Sequence, residues 1–208
     1  MLEFTVEDLS GEDVARLRGI YEPLAESVRS LVDATIRTEA DAQTVAEVRR
    51  DIDAAVARLR VRQLDGAFGV RVTDSGESMG WGNAVIGIRN ALAPPLLTSR
   101  DSEGRVSAEF CLGAAYEGPP GHVHGGVAAM ILDHVLGEAA SVDRQPRFTG
   151  TITVRYLRPT KLGSLRTEAV KVRTDGVKTY CMGHIADAEG VTVEAEGVFI
   201  TPRWLRDS

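Results

Sequence analysis

Cysteine is nearly absent from this chain: its 208 residues hold only Cys111 and Cys181, 70 positions apart and in no CxxC or CxxxC arrangement. Neither a disulfide framework nor a zinc site is signalled, and both thiols read as small buried apolar residues. A basic excess is also missing. With 24 Lys+Arg against 30 Asp+Glu the net charge is −6 and the pI about 5.3, which argues against a nucleic-acid or anionic-membrane partner. No apolar run is long. The longest, Val127 to Leu132, falls far short of the roughly 20 residues that cross a bilayer. The start MLEFTVEDLS has acids, no Lys or Arg, and no apolar stretch behind it, unlike a secretory signal. A cytoplasmic protein is the expectation. No repeat with a period of about 20–50 residues is visible.

What is present is ordinary globular material, 43% apolar and 26% charged, in a length that fits one good-sized domain or one domain with an appendage. The first 62 residues differ in kind from the rest, with one proline, Pro23, and glycine only at Gly11 and Gly19. Leu17, Ile20, Leu24, Val28 and Leu31 step by 3 or 4, and so do Val45, Val48, Ile52, Val56 and Leu59 beyond a polar link at 37–44. Ser10 and Asp13 resemble a capping box. Residues 1–62 therefore read as a helical extension, a hairpin laying one stripe on the main body or on a partner subunit, with a substrate-gating lid as the rarer alternative. Residues 63–208 read as the main domain.

In that domain the glycines at 66, 69, 76, 80 and 82 mark a loop or short irregular strands. Arg105 to Leu112 is a strand candidate, EGPPG at 117–121 is a turn, and a helix runs from about Gly125 to Ser141. Four strand-like segments follow at 148–158, 164–174, 177–188 and 191–200. Asp175-Gly176 is the strongest hairpin signal between them. The helix is apolar nearly all round, so most of its sides need cover, which a long curved sheet supplies. The fold class is α+β: one central helix wrapped by an antiparallel meander.

Asp133 stands in the middle of that helix, sharing a face with Gly126, Ala129, Met130, Leu136, Gly137 and Ala140 and with no cation among them. His134 and Glu138 pair with each other on a neighbouring face. An unpaired carboxylate in apolar surroundings is costly, which functional sites tolerate; backbone amides or a distant Arg would satisfy it equally well. Just upstream, Gly125 and Gly126 open the helix. Uncovered amides at a helix start suit a developing oxyanion, although glycines there also serve as plain turn and capping residues. Eight residues, about 12 Å of rise, separate Gly125 from Asp133. A site using both needs an extended substrate or a second subunit.

The stretch EGPPGHVHGGVAAMILDHVLGEA resembles the signature of the hotdog-fold acyl-CoA thioesterases, in the PaaI-like branch of phenylacetate-pathway enzymes and their mammalian THEM-type relatives. That signature is a Pro/Gly turn, His-Gly-Gly, then an Asp nine residues after the His. The resemblance continues through TGTITVRYLRPTKLG and TVEAEGVFI, covers roughly residues 90–200, and leaves the first 62 outside. It implies a hotdog fold and hydrolysis of an acyl-CoA thioester without metal or organic cofactor. Asp133 would be general base or nucleophile, the Gly125 N–H would polarise the carbonyl with His124 beside it, and Thr149 would help position the water. It also implies a homodimer, or a dimer of dimers, whose subunits pair their sheets and contribute Asp133 and Gly125 from different chains. Gly126 and His122 join the expected substrate-binding set. One departure stands out: some relatives carry Asn six residues before the His-Gly-Gly histidine, where this chain has Gly118.

Other chemistries fare worse. His122, His124, Asp133 and His134 with distant His184 make a thin metal set, GxSxG and GxxxxGK[ST] are missing, and both cysteines lie in strand-like runs. The closer rivals are a hotdog hydratase or dehydratase and a catalytically silent hotdog scaffold. Charge is uneven as well. Residues 144–178 hold nine basic side chains against Glu168 and Asp175, so either they pair with the acidic N-terminal helices or they offer CoA phosphates a basic surface through Arg155, Arg158 and Lys161.

Overall fold

A computed structural model describes residues 5–73, 75–76, 78–94, 96–141 and 145–206. In chain order the elements are β1 (Thr5–Glu7), α1 (Gly11–Arg37), α2 (Ala42–Arg60), β2 (Arg71–Thr73), β3 (Ser78–Met79), β4 (Ser99–Arg100), β5 (Val106–Leu112), a 3-10 turn at Ala114–Tyr116, α3 (Gly125–Ala140), β6 (Phe148–Tyr156), β7 (Gly163–Asp175), β8 (Lys178–Asp187), β9 (Gly190–Ile200) and α4 (Arg203–Arg206). Among the described residues no helix is long and apolar enough to cross a membrane.

Each N-terminal helix starts where its side chains can accept from the orphan amides of the first turn. Ser10 and Asp13 form the capping box ahead of α1, and the Asp41 carboxylate accepts from the Thr44 N–H at 2.8 Å ahead of α2. Their packing departs from expectation. On α1 the buried residues are Val14 and Ala25, whereas Ile20, Leu24 and Val28 stay exposed, and α2 buries nothing. The face of α1 that docks is thus offset from the stripe read in the sequence. It is held partly by polar contacts: the Arg89 guanidinium lies 3.6 Å from the centre of the Tyr21 ring, and Arg29 donates to the Asn90 carbonyl. β1 reaches back to pair in parallel with β2, and β2 pairs with β3, making a small three-stranded sheet whose β2 and β3 come from the stretch read as a glycine-marked loop or short irregular strands.

The main sheet has six antiparallel strands in the order β4-β5-β7-β8-β9-β6. It wraps α3, whose Ile131, Leu132, Val135 and Leu136 are 0% exposed against the inward residues of β5 and β7–β9. Each such side chain contributes roughly 1.5–3 kcal/mol of burial. The C-terminal carbonyls of α3 are met by two arginines, Arg100 on Glu138 O and Arg147 on Ala140 O, both at 2.7 Å, where a cation also complements the helix dipole. The hairpin turns sit one residue from their predicted places. Asp175 pairs with Lys178, leaving Gly176, at a φ of +55°, and Val177 as the turn; Asp187 likewise pairs with Gly190. β6, although next to α3 in sequence, lies at an edge of the sheet beside β9 alone.

Candidate active site

A β-bulge aims two residues of β6 at α3. In a regular strand Thr149 and Tyr156, seven positions apart, would face opposite ways. The pairing with β9 shifts between Thr149 and Thr151, so Gly150 is the extra residue. Thr149 then stands opposite buried Phe199, while Ile152, Val154 and Tyr156 stand opposite Gly197, Ala195 and Val193, so all four share the face that covers α3. A side chain at Gly150 would meet Ile200 Cγ1 at 2.9 Å and the Val198 carbonyl at 3.2 Å, a close approach that favours glycine there.

Thr149 uses that placement to donate from Oγ1 to Asp133 Oδ1 at 2.8 Å. Asp133 is half-buried on the flank of α3 nearest β6, so its carboxylate is hydrogen-bonded and partly wet rather than stranded in the core. The resemblance gave Thr149 a part in positioning the water; the structure places its hydroxyl on Asp133. Gly125 opens α3, and its N–H has no hydrogen-bond partner among the described residues. His124 is the N-cap: its Nδ1 accepts from the Gly126 N–H at 3.0 Å, which in the neutral ring places the proton on Nε2. Gly126 was expected beside Gly125 as a binding group, but its donor is already engaged. His122 stands back from the helix start, its Nδ1 2.8 Å from the Pro120 carbonyl and its backbone bridged to Lys161. Gly118 lies against the backbone of His124; a Cβ there would come within 2.7 Å of the His124 Cα. His134 and Glu138 pair at 2.9 Å as expected, and the Thr98 hydroxyl joins Glu138.

Among the described residues no ion pair joins the basic side chains of 144–178 to the N-terminal helices. Arg155, Arg158 and Lys161 find their acids in the β8–β9 region, and Arg173 lies near Asp175 of its own strand. Arg158 donates to both Asp187 oxygens and to the Gly190 carbonyl, Lys161 sits 2.7 Å from Glu189, and Arg155 lies 3.8 Å from Glu194 on the face of the sheet away from α3. The Arg158 guanidinium, followed by the Glu189 backbone N–H, holds the Asp187 carboxyl down at about 2. Arg144 lies outside the described residues. A cavity of about 410 Å³ flanked by Arg155, His184 and Glu194 opens on that same outer face, remote from Asp133.

Tyr156 is the site residue that sequence reasoning missed. Its hydroxyl donates to the Gly125 carbonyl at 2.9 Å, and its ring covers Gly125 so closely that a Cβ there would lie 3.3 Å from it. Only the parity change made by the Gly150 bulge betrays it.

The thioesterase superfamily profile matches residues 120–194. A solved crystal structure of a thioesterase superfamily protein is 33% identical and superposes with a TM-score of 0.77 over 86% of this chain and 94% of its own. The chain belongs to the thioesterase superfamily. Its fold is the hotdog fold of that superfamily, α+β with added N-terminal helices. The coverage of 86% exceeds what residues 63–208 alone make up, so part of the N-terminal region, outside the motif resemblance, is shared with this superfamily member. Among curated relatives, human acyl-coenzyme A thioesterase THEM5 is 29% identical over 94 residues, 44% of this chain and 38% of the relative. Xenopus laevis acyl-coenzyme A thioesterase THEM4 is 31% identical over 102 residues, 48% and 46% of the two chains. The chain spans less than half the length of these curated relatives.

Proposed function

We propose that this protein hydrolyses an acyl-CoA thioester to free acid and CoA. The observation that carries the reading is one helix presenting both an unbonded Gly125 N–H at its start and the Asp133 carboxylate held by Thr149. As general base, Asp133 takes a proton from water while the oxygen bonds to the thioester carbon. The carbonyl becomes an oxyanion facing the Gly125 N–H, and collapse breaks the C–S bond, releasing CoA thiolate that regains a proton. As nucleophile, Asp133 would instead form an anhydride that water then cleaves. THEM4 and THEM5 are named acyl-coenzyme A thioesterases, which supports this substrate class.

Asp133 and Gly125 of one chain are about 12 Å apart along α3, so they do not converge on one carbonyl. A homodimer joined at β6, or a dimer of two such dimers, brings Asp133 of one subunit to Gly125 of the other. Supporting this, β6 is a nine-residue edge strand with exposed Phe148 and Tyr156, an edge that soluble chains normally cover. Residues 63–208 act as the hotdog unit and 1–62 as a helical extension, in the cytoplasm. For the CoA phosphates Arg155 is the least committed cation; Lys161 would exchange Glu189 at the surface, where an ion pair is worth little. Arg158 is tied to the corner at Asp187 and would join only by sharing.

The test is release of free thiol from a panel of acyl-CoA esters by wild-type protein and by Asp133→Asn. Loss of the base or nucleophile lowers the rate at least about 10²-fold. An unchanged rate in the variant sinks this reading. Hydration of an enoyl-CoA outpacing thiol release would make the protein a hydratase instead.

A further inference from the structure

The peptide plane joining Gly125 to Gly126 is gripped at both ends. Its carbonyl accepts from the Tyr156 hydroxyl at 2.9 Å, and its N–H donates to His124 Nδ1 at 3.0 Å. The plane before it is gripped as well. Its carbonyl, that of His124, accepts from the N–H groups of Val127 and Ala128 at 2.9 and 3.3 Å, and one peptide further back the His124 N–H donates to the Tyr116 carbonyl at 2.9 Å. Among the described residues, the polar group of this turn left without a partner is the Gly125 N–H itself. A carbonyl that accepts two bonds polarises the amide on its own peptide, which makes the Gly125 N–H the stronger donor.

Nothing in the local helix requires Tyr156 for folding of this turn. The Gly125 carbonyl already belongs to the first turn of α3, and Tyr156 is 54% exposed on an edge strand. Its hydroxyl is therefore a second bond to a carbonyl that the helix would satisfy alone, and its ring leans on Gly125, whose N–H has no partner among the described residues. The bulge at Gly150 is what brings it there while also keeping Thr149 on Asp133.

We propose that Tyr156 is a positioning residue that, together with the His124 cap, fixes the direction of the Gly125 N–H toward the developing oxyanion. The inference rests on the thioesterase reading above and adds to it a residue and a mode of action. An oxyanion donor contributes in proportion to its preorganisation, so a looser turn lowers kcat while leaving ground-state binding alone.

The decisive variant is Tyr156→Phe, which keeps the ring and removes only the hydroxyl. Its expected kcat is about 3–10-fold below wild type at unchanged KM, and exchange of the Gly126 amide, followed by NMR, quickens several-fold. Unchanged kcat and unchanged exchange overturn the proposal, because a ring that merely packs is preserved in Phe. A raised KM at unchanged kcat also overturns it, making Tyr156 a substrate contact. If the exchange quickens but wild-type protein hydrolyses no acyl-CoA, the grip on the turn stands and the thioesterase reading falls.

Discussion

Gly118 shows at the level of one residue how a site can depart from its relatives without a vacancy to fill. Its N–H donates to the His122 carbonyl at 2.9 Å, and its missing side chain lets the turn lie directly on His124, the cap of α3. Installing the Asn found in some relatives, Gly118→Asn, forces a Cβ to within 2.7 Å of the His124 Cα, a backbone atom that moves only if the helix start moves. The variant should lose stability, roughly 1–3 kcal/mol or a fall of about 3–10 °C in melting temperature, and lose activity with it. A melting curve beside a thiol-release assay checks both, and a variant that gains activity would show that the turn tolerates the side chain. Asp133 and Gly125 stood out in the sequence because a carboxylate in an apolar helix and a glycine pair at its start are chemically conspicuous, whereas Thr149 came only from the family resemblance. Tyr156 was not legible there, since an aromatic on a β-strand is ordinary, and its facing depends on a bulge that alternation alone does not reveal.

At the scale of elements, the helices and the four long strands could be read from periodicity, because burial against one core imposes that periodicity. What escaped was whatever depended on a partner element: the short β1, paired with residues more than sixty positions away, and the offset docking face of α1. The basic run of β6 and β7 misled for the same reason. Its arginines look free along the chain, yet Arg158 closes the corner between β6 and β7 onto the β8–β9 turn through Asp187 and the Gly190 carbonyl. This corner has a pH signature. Asp187 is held at about 2 against an ordinary 3.8, so the stabilisation is complete above the ordinary value and is lost as pH falls from about 4 through 2. Its size is on the order of 1–2 kcal/mol for a pair that still touches water. Melting temperatures of wild type and Asp187→Asn should therefore differ near neutrality and converge as pH drops to about 2. A gap that stays constant across that range would remove the ion pair as its cause.

For the whole molecule the open question is where the second half of each site comes from. One chain holds Asp133 and Gly125 about 12 Å apart on α3, and no bending of a rigid buried helix closes that gap. The proposed pairing through β6 would make each site a composite of two chains, and a composite site can be tested by mixing two dead proteins. Asp133→Asn removes the carboxylate. Gly125→Pro removes the donor: proline suits the first helical position, and His124, at φ −61° and ψ 130°, already has the extended conformation that precedes proline, while the new Cβ, 3.3 Å from the Tyr156 ring, makes that side chain shift a little. Each variant alone is inactive. In a mixed dimer, one site collects both defects and the other collects neither. Unfolding and refolding the two variants together at equal amounts should then restore about a quarter of wild-type activity, since half the dimers are mixed and each has one intact site of two. If both groups served the site of their own chain, every site in every dimer would carry one defect and the mixture would stay dead. Recovery of activity would thus place the two groups on different subunits, and its absence in a mixture shown to contain mixed dimers would place them on one.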